Sequence, residues 1–207
     1  MYKHQSNQSR PPLVRAAVLC AISAICAFSQ VANANVVTNG DFESGNINGW
    51  TLSPGGPYDF VCSTGQVAGA ARCITHGGKY AMTFGMAGAQ DVLSQTLATQ
   101  AGVDYQVSFW LANDNPLRGL TEEFHAMWNG NALLNLGPGM MNSFAYGLNT
   151  FTVTGTGNDT LSFVARHDPS QWFLDDVMVS AVPEPTSLAL VGLALAGLMF
   201  STRRKNA

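Results

Sequence analysis

Charge is scarce in this chain of 207 residues. Asp, Glu, Lys and Arg make up 11% of it, with ten basic side chains against 13 acidic ones and a net charge of −3. So few cations leave no basic stripe able to neutralise a run of phosphates, which excludes nucleic-acid binding as the main task. Cysteine is sparse too: there are four, and Cys20 and Cys26 sit in the first 34 residues. The chain also lacks a nucleophile elbow, a His-Glu-x-x-His helix and a phosphate-cradling glycine loop, so no motif announces catalysis. Between residues 35 and 181 there is no internal repeat and no convincing helical period. What is present is apolar: 46% of residues are hydrophobic and 10% aromatic, enough to fill the core of one ordinary domain.

The few charges are unevenly placed. Residues 1–34 carry Lys3, Arg10 and Arg15 and no acid, residues 35–181 carry four basic against twelve acidic groups, and residues 182–207 carry three against one. At the amino end an apolar stretch over 16–28 leads to Ala32-Asn33-Ala34, a small-x-small site suited to signal peptidase. Cleavage there makes Asn35 the first exported residue. The alternative, an uncleaved anchor, needs about 20 apolar residues, more than this run supplies. At the carboxyl end Pro183-Glu184-Pro185 precedes an uncharged run over 186–202 and then Arg203, Arg204 and Lys205. The prolines hold the approach extended, the apolar run suits a short membrane helix, and the basic cluster prefers the cytoplasmic leaflet. As a helix that run covers about 26 Å, the lower edge of spanning length. A plain tail anchor accounts for the helix and its basic stop but not for Pro183-Glu184-Pro185.

That order of breaker, short apolar helix and basic cluster resembles the PEP-CTERM protein-sorting segment. The resemblance implies processing by an exosortase, a membrane cysteine transpeptidase-like enzyme of Gram-negative bacteria that make exopolysaccharide. It further implies a chain tethered to the inner membrane before processing and then placed on the cell surface or in the extracellular matrix.

The exported part, residues 35–181, has period-two patterning. Val103, Tyr105, Val107, Phe109 and Leu111 alternate with Asp104, Gln106, Ser108, Trp110 and Ala112, the pattern of a half-buried strand. Strands are expected over 36–38, 80–84, 92–97, 103–111, 124–128, 132–136, 150–154, 160–165 and 172–180. Asn129-Gly130 suits a type I′ hairpin turn between two of them. Many short strands without helices indicate an all-β antiparallel sandwich. With the leader removed, Cys62 and Cys73 are the remaining cysteines in an oxidising compartment and are expected to form a disulfide. The alternative is zinc held by Cys62, Cys73 and His76.

Along 172–177, Asp175 and Asp176 occupy opposite faces of a strand, so whichever face is buried takes a carboxylate with it. Such a group needs a cation, an Arg or several N–H donors. Asn39-Gly40-Asp41-Phe42-Glu43, Gly49-Trp50-Thr51 and Trp172-Phe173-Leu174-Asp175-Asp176-Val177, with 93–97 and 105–113 between them, resemble the galactose-binding-like jelly roll of carbohydrate-binding modules. The resemblance implies that first and last strands lie together and hold a structural calcium ion. Carried over by position, its ligands are Glu43 and Asp175, with Asp176 as the alternative to Asp175. The competing reading is a pair of exposed or salt-bridged carboxylates.

Sugars are held by flat aromatic faces with polar groups at the rim. Trp110, on the polar side of its strand, and Trp128, beside the Asn129-Gly130 turn, lead the candidates, followed by Tyr58 and Tyr146 in loops. Trp50 and Trp172 fall within the fold motifs and are expected in the core. His76, His125 and His167 are scattered and are expected at the surface. Glu122 and Glu123, adjacent along a strand, point to opposite faces and make no acid pair, and Asp41 with Glu43 is not taken as one either. The sequence therefore points to a non-catalytic exported module that binds carbohydrate such as exopolysaccharide. A purely structural or adhesive matrix protein is the alternative, and an exported hydrolase a distant third.

Overall fold

The computed structural model describes residues 34–68, 71–85, 88–113, 121–138, 140, 145–168, 171–183 and 192. The leader with Ala32, the tail positions Glu184, Pro185, Arg203, Arg204 and Lys205, and the apolar run between them except Gly192 lie outside these residues. Among the described residues from 34 to 183 there are strands and no helix. They are β1 (Thr51–Ser53), β2 (Phe60–Ser63), β3 (Val67–Ala68), β4 (Ala71–Arg72), β5 (Tyr80–Phe84) and β6 (Asp91–Ala98). After these come β7 (Asp104–Asn113), β8 (Glu123–Trp128), β9 (Asn131–Leu136), β10 (Gly147–Thr154), β11 (Asn158–Arg166) and β12 (Trp172–Ala181).

Two five-stranded antiparallel sheets form the sandwich, ordered β1-β6-β11-β8-β9 and β10-β7-β12-β5-β2, with β3-β4 as a separate ribbon. Alternation decides which residues meet between them. Leu93 and Leu97 of β6, Phe124, Ala126 and Trp128 of β8, and Leu161 and Phe163 of β11 face Tyr105, Val107, Phe109 and Leu111 of β7. The rings of Phe109 and Phe163 meet edge-on at 5.0 Å between centroids, a geometry that aromatic quadrupoles favour. Trp50 and Trp172 join this core as expected.

The β8–β9 hairpin turns on Asn129 and Gly130, at φ 51° and 79°, the doubly left-handed pair that a type I′ turn requires. Asn129 also accepts from Thr160 N at 2.8 Å, fixing the turn to β11. The segment expected as a strand over 36–38 does lie along β12 but forms no regular ladder. Val36 N donates to Val179 O at 2.8 Å, while Val179 N donates to the Asn35 side chain at 2.9 Å. A side-chain acceptor stands where a ladder would use a carbonyl, and the chain then turns away through Asn39 and Phe42, both at positive φ.

Strand β12 has a β-bulge between Asp175 and Met178, with Asp176 at φ 46°. The extra residue reverses the alternation after Asp175. Trp172, Leu174, Val177 and Val179 consequently enter the core, while Phe173 packs on the opposite side of the sheet.

At one end of the sandwich Asp59 accepts from Gly56 N and, at 3.1 Å, from Gly85 N. Burial pushes Asp59 up to about 7, helped by a hydrogen bond with the Asp91 side chain.

Candidate functional site

The site is built on the outer face of the second sheet. Register places Cys62 beside Ala81, Asp175 beside Trp110, and Trp110 beside Leu148. A row away, Phe60 lies beside Thr83 and Phe173 beside Ala112. A strap formed by residues 72–79 lies against this face. The Cys62–Cys73 disulfide ties it to β2, which overturns the zinc alternative because both sulfurs are committed. Cys62, Cys73, Ala112 and Phe173 form a second small core, with Phe60, Ile74 and Tyr146 packed on it. Tyr146 donates its hydroxyl to Ile74 O at 2.9 Å. Burial, with the charges of Asp175 and Asp176 nearby, pushes that hydroxyl far above the ordinary tyrosine range.

All three carboxylates singled out in the sequence meet this strap. Asp175 is buried, at 1% exposure. One of its oxygens accepts from His76 N at 2.8 Å and Gly77 N at 3.2 Å, and the other from Asp176 N at 2.8 Å. Burial nevertheless pushes Asp175 up to about 6 against the pull of those donors, and the adjacent Asp176 charge adds to the rise. Asp176, partly exposed, contacts His76 Nδ1 at 2.6 Å. Glu43 Oε1 accepts from Lys79 N and Tyr80 N, each at 2.8 Å. Of the three solutions open to a buried carboxylate, Asp175 uses several N–H donors. Among the described residues no group of three or more His, Cys, Asp or Glu side chains is placed to hold a metal ion.

The two raised carboxyls, Asp59 and Asp175, have one consequence for stability. An unfolded aspartate ionises near pH 3.9, so both groups hold their proton more tightly in the folded chain. Their contribution is present below about pH 4 and is lost as pH rises through about 6 and about 7. The melting temperature of the full chain is expected to fall between about pH 5 and about pH 8, with Asp59→Asn and Asp175→Asn together flattening the slope. A slope unchanged in that double variant assigns the dependence elsewhere.

The four aromatic candidates part company here. Trp110 lies on the outer face, and the His76 ring stacks on it at 3.7 Å and 14°; Tyr146 meets His76 edge-on at 5.7 Å. Trp128 is in the core at 5% exposure, because β8 turns its even residues inward. Its face is therefore closed to a ligand. Its indole N–H is the one buried side-chain polar atom without a partner among the described residues. Tyr58 is half exposed in the loop before β2.

One of the histidines expected at the surface is elsewhere. His76 is exposed and caps Trp110, whereas His167 is buried at 1% exposure. Its Nε2 lies 2.8 Å from Asn113 Oδ1 and 3.4 Å from Glu122 Oε2. His125 keeps to the outer face of the first sheet, with Nδ1 2.9 Å from Asn135 Oδ1. Sequence reasoning missed the capping role of His76 and the burial of Glu122. The available signal for Glu122 was that it precedes a strand whose alternate residues all turn inward.

Comparison with known proteins separates tail from domain. Residues 181–205 match the model of the PEP-CTERM protein-sorting motif. The chain carries a PEP-CTERM sorting motif. Such a motif marks an exported protein sorted to the cell envelope. No curated protein matches the chain. Among solved structures, the domain is similar to TmCBM61 in complex with beta-1,4-galactotriose, at 19% identity and TM-score 0.54 over 72% of this chain and 99% of that one. It is also similar to the K3 cleaved adhesin domain of Lys-gingipain from Porphyromonas gingivalis, at 18% identity and TM-score 0.52, covering 71% and 98%. At these identities the likeness establishes the fold: a sandwich of the carbohydrate-binding-module type.

Proposed function

We propose that this is a non-catalytic protein exported by a Gram-negative bacterium. Its PEP-CTERM motif hands it to an exosortase, and its sandwich domain holds carbohydrate at the cell surface or in the exopolysaccharide matrix. The match over residues 181–205 carries the sorting half of this reading. The binding half is supported by a fold shared with a module solved with a galactose oligomer and by Trp110 on an outer sheet face. Signal peptidase and exosortase are its processing partners, with an inner-membrane tether before processing.

One observation favours a second reading, a structural or adhesive matrix protein. The face that carries Trp110 is covered by the strap, and the flat side a sugar needs is taken by His76.

The two readings separate on a glycan screen of the full chain, run with and without calcium and including the producing organism's exopolysaccharide. If Trp110 is the platform, His76→Ala raises glycan retention and Trp110→Ala abolishes it, with the melting temperature little changed. Absence of retention in all three folded proteins hands the domain to the adhesive reading.

A further inference from the structure

Four strands end the two sheets, and three of them have a guarded outer edge. Strand β1 has three residues and runs directly into Pro54. Strand β9 is bulged against β8. Strand β2 has four residues, and Ser63 N is taken by the Gln66 side chain at 3.0 Å. Bulges, brevity and proline are the usual protections of a sheet edge.

Strand β10 has none of them. It runs eight residues, Gly-Leu-Asn-Thr-Phe-Thr-Val-Thr, without a charge, a proline or a register shift against β7. No described strand pairs with its other side.

Which groups it presents follows from its neighbours. Val182 N donates to Asp104 O and Gly155 N to Val103 O, each at 2.8 Å. Even residues of β7 therefore turn their main chain toward β12, and odd residues turn theirs toward β10. On β10 the odd residues pair with β7. Leu148, Thr150, Thr152 and Thr154 thus direct both N–H and C=O to the open edge, and their side chains lie on the exposed face.

We propose that this edge is an interface for a second copy of the chain, joined antiparallel about a two-fold axis at Phe151. The strand is self-complementary in that register. Thr150 faces Thr152 of the second copy, Leu148 faces Thr154, and every outward N–H meets an outward C=O. Threonine pairs across strands are favourable, and the exposed Leu148 gains cover. On the core side Phe151, half-buried and packed against Phe109, meets Phe151 of the second copy. The interface is isologous, so it closes at two and does not propagate.

The test uses charge patterns that leave the single chain alike. Thr150→Lys with Thr152→Lys sets like charges opposite each other twice across the axis. Thr150→Lys with Thr152→Glu sets opposite charges there twice. Sedimentation of the full chain over a concentration series in detergent is expected to show a dimer, weakened about tenfold or more by the first pair and restored by the second. Equal melting temperatures of the two variants show that folding is not the cause. A chain that is monomeric throughout, or a dimer that treats both variants alike, overturns the proposal.

Discussion

Replacing Gly40 by alanine is expected to cost more than about 4 kcal/mol and to leave little folded protein in the exported fraction. A Cβ there would stand 2.0 Å from Val177 O and 3.0 Å from Val177 C. Both are main-chain atoms of the bulge in β12, so no side-chain rotation relieves the contact. Val177 N also donates to Gly40 O at 2.8 Å, which fixes the approach from the other side. Moving either segment breaks the seam through which residues 35–40 join the last strand. Gly137→Ala is the control: among the described residues its Cβ meets only the flexible Met140 sulfur at 3.8 Å, and it should stay within about 0.5 kcal/mol of the parent. Thermal melts of the two full-length variants make the comparison. A Gly40→Ala protein that melts like the control shows that this seam is looser than described.

The second large effect lies in the strap. Opening the Cys62–Cys73 disulfide, by reduction or by changing both residues to alanine, is expected to cost about 3 kcal/mol in the chain-entropy account of a loop this size. Its consequence is local as well as global. The bond holds one side of the small core of Ala112 and Phe173, and the strap it closes carries His76 onto Trp110. Loss of the bond should lower the melting temperature by roughly 6–12 °C for a domain of this size. It should also speed amide exchange at His76 and Gly77, whose N–H groups rest on Asp175. If exchange there stays slow while the melting temperature falls, Asp175 alone seats the strap and the disulfide acts only on the unfolded chain. An unchanged melting temperature would remove the disulfide from the stability account.

Both effects depend on features that differ in how far the linear sequence carries them. The alternation from Val103 to Leu111 is enough to make β7 and to divide its residues between two faces. The Asn129-Gly130 pair specifies its turn because few residues other than Asn and Gly accept positive φ at both positions. A cysteine pair in an oxidising compartment specifies its bond, and the adjacent carboxylates at 175 and 176 specify that one of them is buried and needs a cation, an Arg or several N–H donors. The terminal motif, being a local string read by an enzyme, is complete in the sequence.

What covers each face was settled only in three dimensions. Alternation shows that Trp110 and Trp128 sit on regular strands, yet it does not show that β8 turns Trp128 into the core. It also does not show that His76, far away in sequence, lies on Trp110. The strap has no period to betray it, since residues 72–79 owe their place to one disulfide, three carboxylates and the packing of Ile74. The bulge at Asp175 likewise depends on how β12 meets β7, and it alone decides that Val177 enters the core while Asp175 faces the strap. Sequence by itself determined the strands from β5 to β12, the turn, the disulfide and the sorting tail, because each rests on residues close along the chain or on composition. It missed the short strands β1 to β4 and expected one over 36–38 that forms no ladder. Tertiary structure decided which aromatic face is open and how the buried carboxylate is satisfied, because those answers lie with partners 34 residues apart for His76 on Trp110 and about a hundred apart for the strap on Asp175 and Asp176.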